Sequence, residues 1–406
     1  MWSSALPWAT LLIVAAALAG IAVGRWPLLR ANRPVIALLG TALLLAVGAL
    51  TPPQLYESVD YGTILLLFSM MMLNGTLFLA GFFGVVTRQI LRVASGPRTL
   101  LALIIVASGL LSALFLNDTV VLMLTPIVLD TTRALKRNPL PYLLGLATAA
   151  NVGSAATITG NPQNIVIGSA SGIPYLRFAA AIGPTSLIGL AICWLVVVAV
   201  HRREFRGGSF QVPDVSRSAV LRPLLIKGGL AVGGMLVMFL AGVPVAMAAF
   251  LAAAAMAATR RLRPKRVFAT VDWPLLVFFC GLFALTHGLD VQGWTQQLFA
   301  LLAPLAQAGL VPFGIATVVL SNLISNVPAV LLLQGLVPSL ADPQRGWLML
   351  AAASTLAGNL TLLGSVANLI VAELAERWGA RVSFMDYLRV GLPVTLLTLA
   401  VAFALI

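Results

Sequence analysis

Four short polar clusters interrupt long apolar runs in this chain. They are Asn117-Asp118-Thr119, Gly160-Asn161-Pro162-Gln163-Asn164, Ser325-Asn326 with Pro328 close behind, and Gly358-Asn359 to Gly364-Ser365 with Asn368 behind. Amides and hydroxyls offer oxygens to a cation, or N–H and O–H groups to an anion, without carrying fixed charge. Asp118 differs. A carboxylate inside hydrocarbon costs several kcal/mol, and counting charges along the chain leaves no lysine or arginine at comparable depth. Its partner is then a bound cation, a proton, or the N-terminal dipoles of helices. An N-cap role at a hairpin turn is the structural alternative, and the cation or proton role is preferred to it. For any single cluster, packing between membrane helices explains polar residues equally well. Four clusters at matching places in two halves are better explained as a site. Catalysis finds no support: the apolar runs hold no Ser/His pair, paired aspartates or HExxH, and no GxxxxGK[ST] occurs. His201 and His287 are isolated at span ends, and Cys193 and Cys280 lie far apart in apolar runs, so neither pair reads as a metal site or disulfide.

Such clusters need a membrane around them. Of 406 residues, 60% are hydrophobic and 9% charged, with mean hydropathy +1.02, whereas a soluble domain carries roughly 25% charged residues. An all-α polytopic membrane protein is expected. Stretches of about 20 apolar residues mark spans, near 7–24, 34–51, 62–86, 140–172, 178–200, 222–241, 243–259, 273–289, 347–375 and 388–406. That makes ten, with 140–172 and 347–375 interrupted by their polar clusters. The stretches 99–130 and 309–340 break in the middle and read as re-entrant hairpins. Irregular backbone at their tips is tolerated only where protein or a cavity surrounds it. The first apolar run lacks a preceding basic region and reads as a span, not a signal peptide.

The net charge of +13 indicates no nucleic-acid partner, because the basic residues lie between spans. With the N-terminus outside, every one of the 25 lysines and arginines except Arg177 and Arg345 falls on the cytoplasmic side. The expected location is a bacterial-type inner membrane, with both termini extracytoplasmic and the lipid bilayer as partner. A full crossing at either hairpin would break this alternation.

The two halves resemble each other. "VDYGTILLLF" (59–68) parallels "VDWPLLVFFC" (271–280), and "FLNDTVVLMLTPIV" (115–128) parallels "LISNVPAVLLLQGLV" (323–337). "GNPQNIVIGSASG" (160–172) parallels "GSVANLIVAELAE" (364–376), and "YLRFAAAIGP" (175–184) parallels "YLRVGLPV" (387–394). The expected division is a first repeat at 1–206 with hairpin 99–130, a cytoplasmic linker at 207–221, and a second repeat at 222–406 with hairpin 309–340. Each half has five crossings, an odd number, so the second must be inserted upside down. Inverted repeats are the architecture of alternating-access transporters, with the site at the paired broken helices, and they argue against a channel.

Two polar-tipped hairpins, two spans broken at Gly/Asn motifs and inverted five-span halves resemble the ion transporter superfamily. It includes divalent anion/sodium symporters, citrate transporters, arsenite permeases and a class of sodium/proton antiporters. The resemblance covers the chain from about residue 34 onward. It implies an elevator in which hairpins and broken helices move against a scaffold, with arm helices at 88–98 and 293–302. Carried over by position, it implies substrate contacts from Asn117, Thr119, Asn161, Asn164, Ser325, Asn326, Ser365 and Asn368. It implies coupling-ion contacts from Asp118, Gly160, Asn326 and Gly364, with Na+ at Asn117, Asp118 and Gly160. No cofactor beyond bound Na+ is expected, and a homodimer or a partner ATPase is compatible with the resemblance. The tips depart from the symporter pattern. The first reads Asn-Asp-Thr instead of Ser-Asn-Thr, and the second has Val327 where a hydroxyl is expected. An ionised Asp118 repels an anion unless a cation sits between them. An acid at the tip resembles more the arsenite permease or antiporter branches, and arsenous acid, neutral at pH 7, would not be repelled. The expected activity is secondary active transport of a small carboxylate or inorganic oxyanion coupled to Na+ or H+. Arsenite or antimonite efflux comes second and Na+/H+ antiport third.

Overall fold

The computed structural model describes residues 2–23, 25–26, 31–206 and 220–406, and apart from one two-stranded pairing (Arg25–Trp26 with Ala31–Asn32) its regular elements are helical. The expected linker at 207–221 lies, except for Val220 and Leu221, outside the described residues. Among the described residues seven helices are long and apolar enough to cross a membrane: Ala5–Val23, Tyr61–Leu79, Pro97–Leu114, Tyr175–Val200, Arg222–Leu240, Trp273–Val291 and Phe384–Leu405. The spans expected at 34–51 and 243–259 are shorter, Arg33–Ala46 and Val245–Ala257, each stopped by punctuation in the sequence.

Helix starts follow from local chemistry. Asp60 and Asp272 cap Tyr61–Leu79 and Trp273–Val291 by accepting from Thr63 N and Leu275 N, both at 3.1 Å. Proline stands at the first turn of Pro97–Leu114, Pro139–Ser154, Pro162–Ser171 and Pro343–Ala357, where its missing N–H goes unused. The run expected as one span over 62–86 is instead two helices. Gly81, at φ 87°, turns the chain from Tyr61–Leu79 into Phe82–Val93, a helix that buries Phe83, Thr87 and Leu91 along one face. This helix overlaps the stretch 88–98 in part, and Trp294–Gln307 overlaps most of 293–302.

The helices pack as two groups. The first contains Trp2–Val23, Arg33–Ala46, Tyr61–Leu79, Arg222–Leu240, Val245–Ala257 and Trp273–Val291. It is intertwined: Tyr61–Leu79 packs on Val245–Ala257 of the other half, and Trp273–Val291 packs on Arg33–Ala46. The second group contains the hairpins Pro97–Leu114/Asn117–Ala134 and Leu310–Ile324/Asn326–Leu333. It also holds the broken helices Pro139–Ser154/Pro162–Ser171 and Pro343–Ala357/Val366–Arg377, with Tyr175–Val200 and Phe384–Leu405. Phe82–Val93 and Trp294–Gln307 bridge the groups, touching a long helix of the first and a hairpin of the second.

Pro97–Leu114 and Pro139–Ser154 cross closely, where Gly109 and Gly153 let the backbones touch. A Cβ on Gly153 would lie 2.2 Å from the Gly109 carbonyl oxygen. Backbone cannot swing aside as a side chain can, so Gly153→Ala is expected to cost about 1–3 kcal/mol, the range for overpacking. Thermal unfolding in detergent checks this; an unchanged melting temperature would mean that the helices separate freely.

Candidate functional site

Each half contains the same device. In the first, the helix Pro139–Ser154 stops and Pro162–Ser171 starts, with Asn161 as N-cap accepting from Asn164 N at 2.9 Å. Gly160 is required in the break, since a Cβ there would meet the Ser154 carbonyl oxygen at 2.2 Å. The Asn164 amide reaches back and donates to Ser154 O (3.2 Å) and Thr157 O (2.9 Å). In the second half Ser365 caps Val366–Arg377, and the Asn368 amide donates to Gly358 O (2.8 Å) and Thr361 O (3.2 Å). Ser154, Thr157, Asn161 and Asn164 match Gly358, Thr361, Ser365 and Asn368 at one constant offset. Break carbonyls that water cannot reach are thus satisfied by an amide one turn into the next helix.

Residues just before the breaks join the halves. Asn151 Nδ2 donates to Asn359 Oδ1 (2.9 Å) and Asn368 Oδ1 (3.0 Å), while Asn151 Oδ1 accepts from Asn117 Nδ2 and Ser365 Oγ, both at 3.0 Å. Its counterpart at the same offset is Thr355. Thr355 Oγ1 donates to Asn164 Oδ1 (3.3 Å) and accepts from Asn161 Nδ2 (3.2 Å) and Gln163 Nε2 (3.3 Å). The first hairpin tip docks by backbone, with Asn117 N donating to Gly160 O at 2.9 Å. At the second tip Ser325 sits at φ 85°, a left-handed conformation that costs a serine of order 1–3 kcal/mol and commonly marks a functional position. Beside it Asn322 Oδ1, Asn326 Oδ1 and Ser321 Oγ are buried with no hydrogen-bond partner.

The tips and breaks face a cavity of ≈ 200 Å³ between the two packing groups. Its wall is made of the beginnings of six helices. Arg33-Pro34 and Asp272 to Phe279 come from the first group. Asn117-Asp118, Pro162-Gln163, Ser325 to Val327 and Leu363 to Val366 come from the second. Several of their first-turn N–H groups are already capped by side chains, but each helix N-terminus still carries about half a positive charge.

Among the residues expected at the site, Asn117, Asp118, Ser325, Asn326, Gly364 and Ser365 line this cavity. Gly160, Asn161, Asn164 and Asn368 do not; they lie behind the wall, fully buried, holding the breaks in shape. Thr119 is half-buried and also off the cavity. Asp272 and Arg33 line it unforeseen, as does Gln163, which sequence places in a break cluster but not among the ligands; Asn151, Thr355 and Asn359 support it from behind. Arg33 corrects the expectation that no basic residue lies at the depth of Asp118: it shares the cavity with Asp118, its Nε donating to Ile21 O at 3.1 Å. Among the described residues no cluster of metal-binding side chains occurs, and the two cysteines are unpaired.

Residues 11–357 match the citrate transporter family. The chain belongs to that family. It is therefore a membrane transporter and not an enzyme. As a citrate transporter family member it is 31% identical to the silicon efflux transporter LSI3 of Oryza sativa, over 94% of this chain and 93% of the rice protein. It is 24% identical to a putative transporter arsB of Dictyostelium discoideum, over 92% of this chain and 86% of that one. The fold is shared with the crystal structure of the Alcanivorax borkumensis YdaH transporter, at TM-score 0.62 and 15% identity, covering 100% and 97% of the two chains.

Proposed function

We propose that this citrate transporter family member is a secondary active carrier of a small anion, a carboxylate or inorganic oxyanion, coupled to Na+ or H+. The observation that carries the reading is the convergence of six helix N-termini and Arg33 on one cavity that also holds both hairpin tips. Helix N-termini bind anions through backbone N–H groups and dipole together. At ≈ 200 Å³ the cavity suits a small acid or ion; pockets for drug-sized ligands run about 300–1,000 Å³. The three unpartnered oxygens at the second tip support a coupling cation, since buried acceptors call for a partner. Alternating access would come from the hairpin group moving as an elevator against the other, with inverted halves and both termini outside the inner membrane. A second reading is efflux of a neutral hydroxy acid such as arsenous, antimonous or silicic acid. It is favoured by the carboxylates Asp118 and Asp272 on the same cavity and by the names of the rice and Dictyostelium relatives.

Thermal stabilisation of the purified protein tests the two. A ligand at 100 times its Kd adds about 2.7 kcal/mol to the folded state. Citrate or arsenate should stabilise only with Na+ or at low pH. Stabilisation by arsenite or silicic acid, with none from the anions under any condition, overturns the anion reading in favour of the second.

A further inference from the structure

A second cavity, ≈ 500 Å³, also lies between the two packing groups. Its wall from the first group is built from the starts of Val245–Ala257 and Tyr61–Leu79, with Val243, Pro244, Gly62 and Thr63 facing in. The smaller cavity takes its first-group wall from the starts of Arg33–Ala46 and Trp273–Val291. These are the same two elements, each taken from the opposite repeat. The sequence repeats with them: Ala31-Asn32-Arg33-Pro34-Val35 matches Ala241-Gly242-Val243-Pro244-Val245, and Val271-Asp272-Trp273-Pro274 matches Val59-Asp60-Tyr61-Gly62. Asp60 and Asp272 even make the same capping bond, at 3.1 Å. The first group thus presents one wall twice, once from each repeat.

Two charged residues of the first group, Arg33 and Asp272, line the smaller cavity, whereas no charged residue among those described lines the larger one. Arg33 on the smaller cavity's wall corresponds to Val243 on the larger one's, and both line their cavities. The Arg33 guanidinium is held at the end of the first helix by its bond to Ile21 O, so it belongs to the wall and not to the hairpin tips that share the cavity. We propose that Arg33 makes the carrier asymmetric: the anion is held tightly where the hairpin tips face the Arg33 wall and loosely where they face the Val243 wall. The inference rests on the anion-carrier reading above and adds direction to it. The helix dipoles and tip amides of the moving group travel with the site, whereas Arg33 stays behind. Anion affinity then falls on leaving the Arg33 wall. Asp272 opposes that fall, since it lines the smaller cavity while Asp60 does not line the larger one, but its carboxylate is engaged in accepting from Leu275 N.

The test is the KM for radiolabelled citrate and arsenate, measured separately in inside-out and right-side-out vesicles carrying the full chain. Wild type is expected to show a KM about tenfold or more lower on one face. Arg33→Val should raise the KM on that face alone, Arg33→Lys should restore most of it, and Val243→Arg should lower the KM on the other face. The double variant Arg33→Val/Val243→Arg should reverse the order. Equal KM on both faces in wild type, or an Arg33→Val effect equal on both, overturns the inference while leaving the carrier reading standing. Absence of saturable uptake of either anion by wild type, on either face, overturns both. Should Arg33→Val fail to fold, Arg33→Lys against Arg33→Gln decides the point on the same two faces.

Discussion

Replacing Asn151 by alanine is expected to destabilise the protein by about 2–4 kcal/mol and to reduce transport by well over tenfold. The amide makes four hydrogen bonds, to Asn117, Asn359, Ser365 and Asn368, and is 2% exposed. Side-chain hydrogen bonds between membrane helices average about 0.6 kcal/mol, so the bonds alone account for roughly 2.4 kcal/mol. The partners do not all lose their last mate, since Asn359 Oδ1 still accepts from Tyr387 Oη and Ser365 Oγ from Ala367 N, so the unmated remainder adds only about 1–2 kcal/mol. The functional loss should exceed the stability loss, because Asn151 ties the first hairpin tip to the second half's break and fixes both against the cavity. Asn151→Asp separates the two contributions. It keeps an acceptor for Asn117 and Ser365 and loses the donors to Asn359 and Asn368, so it should retain part of the stability and little transport. Thermal unfolding and proteoliposome flux on the same preparations measure this. A stable Asn151→Ala protein with full flux would mean that the breaks hold their shape without cross-linking.

The parts of this site that sequence reveals are those where polar type coincides with a break in an apolar run. Asn117-Asp118 and Ser325-Asn326 stand out because nothing in a lipid-facing helix requires them there. Gly160 and Pro162 mark the first broken helix because they cannot continue one. What sequence leaves hidden is side-chain direction. Asn164 and Asn368 have the residue type of ligands, yet their position one turn into a new helix points them back at the break carbonyls. Asn151 and Thr355 sit near the ends of otherwise apolar helices and read as ordinary helix contacts. The signal that would have found them is the repeat offset they share with Asn161/Ser365 and Asn164/Asn368. Arg33 escapes for a different reason: the positive-inside rule turns a basic residue near a span into a topology marker. Nothing in that count shows which basic residue faces a cavity. The helix Phe82–Val93 does not stand apart from Tyr61–Leu79 in sequence because hydropathy is continuous across Gly81, while the chain direction is not.

Asp118→Asn is expected to abolish gradient-driven accumulation while leaving anion binding intact or tighter. In the wild type Asp118 lines the cavity in the first turn of Asn117–Ala134. A carboxylate about 7 Å from a bound anion repels it by on the order of 2 kcal/mol at an effective dielectric constant near 20. That is roughly a 30-fold loss of affinity, which a coupling cation or proton on Asp118 removes. Coupling in this scheme is the relief of that repulsion. Asparagine relieves it permanently, so the variant binds the anion without its co-ion and has no reason to carry one. The sign for a proton is definite: wild-type uptake should rise as pH falls and the carboxyl is neutralised, and the variant should lose that rise. For Na+ the equivalent is a Na+-dependent KM in wild type and a Na+-independent one in the variant. Counterflow exchange should survive in Asp118→Asn, since exchange needs binding and movement but no coupling. If the variant accumulates anion against a gradient as well as wild type does, Asp118 carries neither ion, and the unpartnered oxygens of Asn322 and Asn326 at the second tip become the place to look. If instead it loses binding altogether, Asp118 serves as a direct ligand. That outcome favours a neutral, proton-bearing substrate that donates to the carboxylate over any anion.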